Sequence, residues 1–116
     1  MSDGNQHRQV TTQEFVNKYE ATSPIFSGIL SEIRELSKKK PEATMSANKV
    51  RIVNRVLEDL LVFLKDEPAG KYLELLDDGE LPQMSDAVLA MVQFESALNA
   101  FEGRYRPIEV GYWITE

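Results

Sequence analysis

The sequence predicts an all-α fold: a single small domain of four to five helices around a central buried helix, 46–66. Apolar residues recur at the spacing of a helix through most of residues 11–103. A hydroxyl side chain stands before each long periodic stretch, where a helix N-cap is expected. The alternating pattern of a strand occurs only in residues 104–116, and one strand cannot form a sheet alone.

Length and composition are those of one soluble domain. The chain has 116 residues, of which 42% are hydrophobic, so it can build a conventional core. It contains no cysteine, which excludes disulfides and thiolate chemistry. No stretch approaches about 18 consecutive apolar residues, and the N-terminal segment does not resemble a secretory signal. We therefore expect a cytoplasmic protein that does not enter a membrane.

The N-terminal part of the chain is predicted to be a tail followed by a first helix. Residues 1–10 are polar and lack periodicity, which predicts a disordered tail that contains the only histidine, His7. A lone histidine in such a tail indicates neither a ligand nor a base. Thr11 and Glu14 have the spacing of a capping box, so a short helix is expected near 11–22.

A longer helix is predicted over residues 24–40. Ser23 and Pro24 form a start signal, because the serine hydroxyl can cap free N–H groups and proline suits the first helical position. Lys38–Lys40 end this helix, and positive charges are favourable at the negative end of the helix dipole.

The stretch 46–66 is predicted to be the central helix. Its apolar residues cover about half of the helical wheel, which is broader than the stripe of an ordinary surface helix. Neighbours are therefore expected on more than one side. These apolar residues are Val50, Ile52, Val53, Val56, Leu57, Leu60, Leu61, Phe63 and Leu64.

Two further helices and an extended tail complete the predicted fold. A short helix is expected near 68–78, ending at the turn 77–79. A long helix is expected at 85–102, with Ser85 as its N-cap and with a second apolar face besides the one that the core needs. Residues 104–116 are predicted to form an extended aromatic tail packed on the bundle or on another chain.

The second apolar face leads to the preferred functional hypothesis. A small helical domain with more apolar surface than it can cover often dimerises or binds a partner. We therefore predict a small non-enzymatic protein-interaction or regulatory domain that acts as a homodimer. The residues expected at its partner interface are Val88, Leu89, Val92, Tyr112 and Trp113.

The alternative hypothesis rests on an uneven distribution of charge. Residues 34–55 hold seven basic and two acidic residues, a net charge of +5, whereas residues 56–102 hold two basic and eleven acidic residues, a net charge of −9. A basic corner at 38–55 favours a regulator that binds nucleic acid or phosphate, either at a free helix N-terminus or through a helix-turn-helix. Its candidate residues are Lys38, Lys39, Lys40, Ser46, Lys49, Arg51 and Arg55.

A third hypothesis is a magnesium-dependent all-α nucleotide pyrophosphohydrolase. Glu32 with Glu35, and Glu74 with Asp77, have the spacing at which paired carboxylates bind magnesium in such enzymes. Solvated acids are the more common reason for this spacing. No nucleophile elbow, glycine-rich phosphate loop or dinucleotide fingerprint is present. We therefore predict no catalytic residues, no metal ligands and no cofactor.

Overall fold

Three α-helices make up most of the described chain. The computed structural model describes residues 9–116. Its helices are α1 (Gln13–Lys39), α2 (Ala47–Leu64) and α3 (Met84–Tyr105), and one turn of 3-10 helix follows α2 at Gly70–Tyr72. Residues 9–116 contain no strand, only two isolated bridges. The prediction of a single all-α domain is confirmed, but the predicted number of four to five helices is wrong.

The helices predicted at 11–22 and 24–40 are one continuous helix, α1. Ser23 is therefore not an N-cap, and Pro24 lies inside the helix on its exposed side. An internal proline costs roughly 3 kcal/mol, because it removes a backbone hydrogen bond and crowds the preceding turn. Both halves of α1 bury one shared face, which offsets this cost. The buried residues of that face are Val16, Thr22, Phe26, Leu30 and Ile33.

The helix at the centre of the bundle is α1 rather than α2, so the prediction of 46–66 as the central buried helix is wrong in part. α1 packs along both other helices, which touch each other less. It runs antiparallel to both, as shown by the pairs Phe15–Phe63, Lys18–Asp59, Tyr19–Phe101 and Phe26–Phe94. α2 buries one face, while Ile52 and Val62 are 39% and 44% exposed. The buried residues of α2 are Val50, Val53, Leu57, Leu60, Phe63 and Leu64.

The helix predicted at 68–78 does not form. After the single 3-10 turn the chain is extended, with Leu73 and Leu76 buried and Tyr72 exposed. The side chain of Asn54 on α2 explains why this segment stays extended. Its amide donates to the carbonyl of Leu76 and accepts the N–H of Leu76, both at 2.8 Å. Those bonds replace the hydrogen bonds that a helix would have supplied.

The two ends of the described chain are held together. Thr11 donates to the carbonyl of Ile114 at 3.0 Å and accepts the N–H of Glu116 at 3.1 Å. Because Thr11 is occupied in this way, the neighbouring Thr12 is the N-cap of α1 and accepts the N–H of Phe15. The predicted disordered tail, 1–10, lies outside the described residues except for its last two.

The aromatic tail packs on the bundle of its own chain. The ring of Trp113 lies 5.1 Å from that of Tyr19 and 5.9 Å from that of Phe101, measured between centroids. The guanidinium of Arg106 lies 4.9 Å from the Trp113 ring, at cation–π distance. Tyr112 is 66% exposed.

Candidate interaction surface on α3

The inner face of α3 forms a large part of the core. Every apolar side chain on that face packs against α1, α2 or the loops around them. Phe101 is 1% exposed and contacts four aromatic rings: Phe63, Tyr105, Tyr19 and Trp113. The buried residues of α3 are Met84, Ala87, Met91, Phe94, Ala97, Leu98, Phe101 and Tyr105.

The outer face of α3 is a continuous surface without charge, which we call the α3 stripe. Its residues lie within about 60° of the direction opposite Phe94 and extend for about 27 Å along the helix. Eight surface positions chosen at random would include about two charged residues, and here there are none. The stripe consists of Ser85, Val88, Leu89, Val92, Ser96, Asn99, Ala100 and Gly103.

Three predicted interface residues lie together on the α3 stripe. Leu89 is 64% exposed, whereas Val88 and Val92 are half-buried. Val88 also packs against the core of its own chain. Leu89 is therefore the largest apolar group that the stripe presents to solvent.

Three of the charged residues beside the stripe are paired within the chain, whereas Asp86, on the same flank as Arg104, is exposed and has no partner among the described salt bridges. Glu95 accepts a bond from Arg34 of α1 at 3.1 Å, and Glu102 is paired with Arg106. On the other flank Arg104 bonds Glu67 at 3.1 Å. These ion pairs reduce the repulsion between like charges that a second copy would meet on approach.

The other two predicted interface residues are placed differently. Trp113 packs within its own chain, as described above, so its rings do not extend the stripe.

Beside the C-terminal end of the stripe, a hollow of about 390 Å³ is lined by Asn99, Gly103 and the tail turn. That turn presents Ile108, which is 98% exposed. Ile108 is not among the predicted interface residues because the sequence places it in the alternating pattern of an extended tail, whereas the structure has a turn there.

The basic corner is divided by the fold. Arg51 and Arg55 line a groove of about 560 Å³ between α2 and the extended segment, together with Glu58 and Asp78. The negative charges of two carboxylates therefore offset the positive charges of the two guanidinium groups in this groove. Lys38, Lys39 and Lys40 do not line this groove.

The helix N-terminus within the basic corner is already capped. The hydroxyl of Ser46 accepts the backbone N–H of Lys49 at 3.1 Å. The ammonium of Lys38 bonds Glu35 at 3.0 Å on its own helix, although both side chains are well exposed. Of the seven predicted basic-corner residues, Arg51 and Arg55 line the groove between α2 and the extended segment.

The paired carboxylates do not form a metal centre. Glu32, Glu35 and Glu74 are exposed, and residues 9–116 hold no group of three acidic or histidine side chains close enough to bind a metal ion. Asp77 instead accepts the N–H groups of Glu80 and Gly79, and these two bonds lower the pKa of its carboxyl. Asp77 therefore stabilises a turn.

Comparisons with known proteins give no independent guide to the function. No protein-family model, curated protein or solved structure matches this chain. Within residues 9–116 no helix is long and apolar enough to cross a membrane. The function is therefore inferred from the residues and their geometry.

Proposed function

We propose that this chain is a small non-enzymatic interaction domain that forms a homodimer through the α3 stripe. A regulatory role in the cytoplasm fits such a domain. One observation carries the proposal: a long outward face of the last helix has no charged residue, in a chain where 28% of residues are charged. Half of that face is Ser, Asn or Gly, and Leu89 is its one large apolar residue that is well exposed, so the proposal rests on the absence of charge together with Leu89 rather than on a large apolar patch.

Charge supports a second copy on this face rather than elsewhere. The chain has a net charge of −6, so two copies repel each other over most of their surfaces. The α3 stripe carries no charge, and the neighbouring Glu95 is paired with Arg34. Two copies can therefore meet along this face with the least electrostatic cost.

The size of the stripe sets the expected affinity. It offers one helix face from each copy, which puts the interface among the small and weak ones, below about 1,200 Å² of total buried area. We therefore expect a reversible dimer whose population rises with protein concentration in the micromolar range, on the order of 1 to 100 µM.

The test compares aspartate substitutions on and off the stripe by size-exclusion chromatography with light scattering. Leu89→Asp places a charge on the stripe without touching the core, and it should shift the chain to the monomer at concentrations where the unmodified chain dimerises. Val88→Asp combined with Val92→Asp should do the same, but with some loss of folding stability, because Val88 packs against the core.

The matched control is Val62→Asp on α2, where the valine is 44% exposed among charged neighbours. It introduces the same charge on a different face and should leave the mass unchanged. A dimer that withstands Leu89→Asp would refute the α3 stripe as the interface. An unmodified chain that stays monomeric at millimolar concentration would refute the homodimer.

A second candidate function is anion binding in the groove that contains Arg51 and Arg55. The observation in its favour is that both guanidinium groups line one cavity without an ion-pair partner among the described salt bridges. Glu58 and Asp78 in the same groove weaken any binding of phosphate. Binding to a single-stranded oligonucleotide should fall steeply with salt and disappear in Arg51→Gln/Arg55→Gln. A response independent of salt would rule it out.

A further inference from the structure

A polar cleft interrupts the seam along which α1 and α3 pack. Its volume is about 250 Å³, which is the space that roughly eight water molecules occupy in the liquid. Phe26 and Leu98, which are 2% and 5% exposed, form its apolar wall. Elsewhere the same seam is closed by the stacked rings of Tyr19 and Phe101, 5.7 Å apart between centroids.

Two pairs of polar residues line the cleft from opposite helices. Ser23 and Ser27 lie one turn apart on α1, and Glu95 and Asn99 lie one turn apart on α3. Because serine is small, the α1 pair leaves space that larger side chains would fill. A molecule in the cleft therefore meets hydrogen-bonding groups from both helices beside an apolar wall.

The charge of the cleft comes from Glu95, the only charged residue that lines it within the described part of the chain. Arg34, which is not part of the lining, donates to the Oε1 atom of Glu95 at 3.1 Å. The Oε2 atom has no partner among the hydrogen bonds of residues 9–116. Burial raises the pKa of the Tyr19 hydroxyl at one end of the cleft, so that hydroxyl is neutral at pH 7.

We infer that the cleft binds a small primary ammonium compound that also carries hydroxyl groups, with its positive charge against Glu95. An ammonium group has three donors and no acceptor, which suits a carboxylate oxygen surrounded by serine hydroxyls and an amide carbonyl. The hydroxyl groups of the ligand bond Ser23, Ser27 and Asn99. For so small a ligand in an open cleft, the expected Kd is on the order of 1 to 10 mM. The inference is independent of the homodimer.

The probe is tris(hydroxymethyl)aminomethane, which has one ammonium and three hydroxyl groups at pH 7. Pentaerythritol is its matched neutral compound, because a hydroxymethyl group replaces the ammonium. Each is titrated into the ¹⁵N-labelled chain in phosphate buffer at constant ionic strength, and NMR follows the amides of residues 23, 27, 95 and 99. The ammonium compound should give saturable shifts at these amides, and pentaerythritol should bind about tenfold more weakly or less.

Two variants that break the same ion pair should act in opposite directions. Glu95→Gln removes the negative charge and should weaken binding of the ammonium compound about tenfold. Arg34→Gln frees Glu95 from a competing cation and should strengthen binding roughly two- to threefold. The two side chains are 42% and 40% exposed, so neither substitution should unfold the chain.

The matched control is Glu35→Gln on the exposed side of α1. Glu35 also accepts an ion pair, from Lys38 at 3.0 Å, but it does not line the cleft. This variant should bind the ammonium compound as the unmodified chain does.

Opposite effects of Glu95→Gln and Arg34→Gln, with no effect of Glu35→Gln, would support the site. Weakening by both cleft variants would show that the ion pair only shapes the cleft, and would overturn the inference. Equal binding of the two compounds would overturn recognition of the ammonium. Shifts that stay linear up to about 100 mM and spread over the whole surface would overturn the site itself.

Discussion

The outer faces of α2 and α3 both present apolar residues to solvent, yet their surroundings differ. On α2, Ile52 and Val62 are separated by Arg51, Arg55 and the acidic pair 58–59. On α3, Leu89 lies in a surface without charge. Single exposed apolar residues are ordinary on protein surfaces, whereas a continuous uncharged face is not. The comparison shows that continuity, more than the exposure of any one residue, marks the candidate interface.

The largest expected effect separates the inner face of α3 from its outer face. Phe101→Ala removes a ring that contacts four other aromatic residues in the core, so the free energy of unfolding should fall by about 3–5 kcal/mol. Leu89→Ala should change it by less than about 0.5 kcal/mol when measured on the monomer. Urea unfolding at low protein concentration measures both. A large loss for Leu89→Ala would show that the stripe is part of the core.

The next effect concerns the segment that covers one side of α2. Asn54→Ala removes both hydrogen bonds to Leu76 and leaves its backbone groups unpaired, so the free energy of unfolding should fall by about 1–3 kcal/mol. Hydrogen exchange at the amide of Leu76 should also accelerate. Unchanged exchange at that amide would mean that the burial of Leu73 and Leu76 holds the segment without Asn54.

Two glycine substitutions sharpen the comparison between helix faces. Gly28→Ala and Gly103→Ala each remove a glycine from a helix at a site with open space, so each should stabilise the monomer by up to about 1 kcal/mol. Only Gly103→Ala should weaken association, because only Gly103 lies on the stripe. Thermal unfolding of the monomer and sedimentation of the dimer measure the two effects. Equal effects on association would show that Gly103 does not lie at the interface.

The smallest effect is a pH dependence at the turn after the extended segment. Backbone N–H bonds from Glu80 and Gly79 lower the pKa of Asp77 below its ordinary value of 3.8. Its contribution to stability is therefore present above about pH 4 and is lost as the pH falls through the lowered pKa of the folded state. Asp77→Asn should be less stable than the native chain at neutral pH, and the difference should shrink as acid is added. A difference that grows in acid would contradict this assignment.

Much of the fold follows from the sequence, and the errors of the prediction have specific physical causes. The start of α2 was predicted correctly, because Ser46 is its N-cap. The prediction of Ser85 as the N-cap of α3 was wrong: that helix begins at Met84 after Gln83, whose side chain makes no capping hydrogen bond, so Ser85 lies within the first turn. The break predicted at Ser23 and Pro24 did not occur. Local signals favoured a helix start there, but the apolar faces on either side are in phase and pack against the same two helices.

The segment after α2 was predicted to be a helix, and a distant side chain explains why it is not. Leu73 and Leu76 have helical spacing, and nothing local shows that Asn54, 22 residues earlier, bonds the backbone of Leu76. The α3 stripe could be foreseen because helical periodicity alone defines which residues share a face. The position of Ile108 beside the C-terminal end of the stripe could not be predicted, because the position of a turn relative to a helix depends on tertiary packing.

The most direct test of the central claim is sedimentation equilibrium of the unmodified chain and of Leu89→Asp, from about 1 µM to about 1 mM. The weight-average mass of the unmodified chain should rise from 13.2 kDa toward twice that value. The mass of Leu89→Asp should stay near 13.2 kDa over the same range. A mass that stays at the monomer value for the unmodified chain, or an identical rise for both, would contradict it.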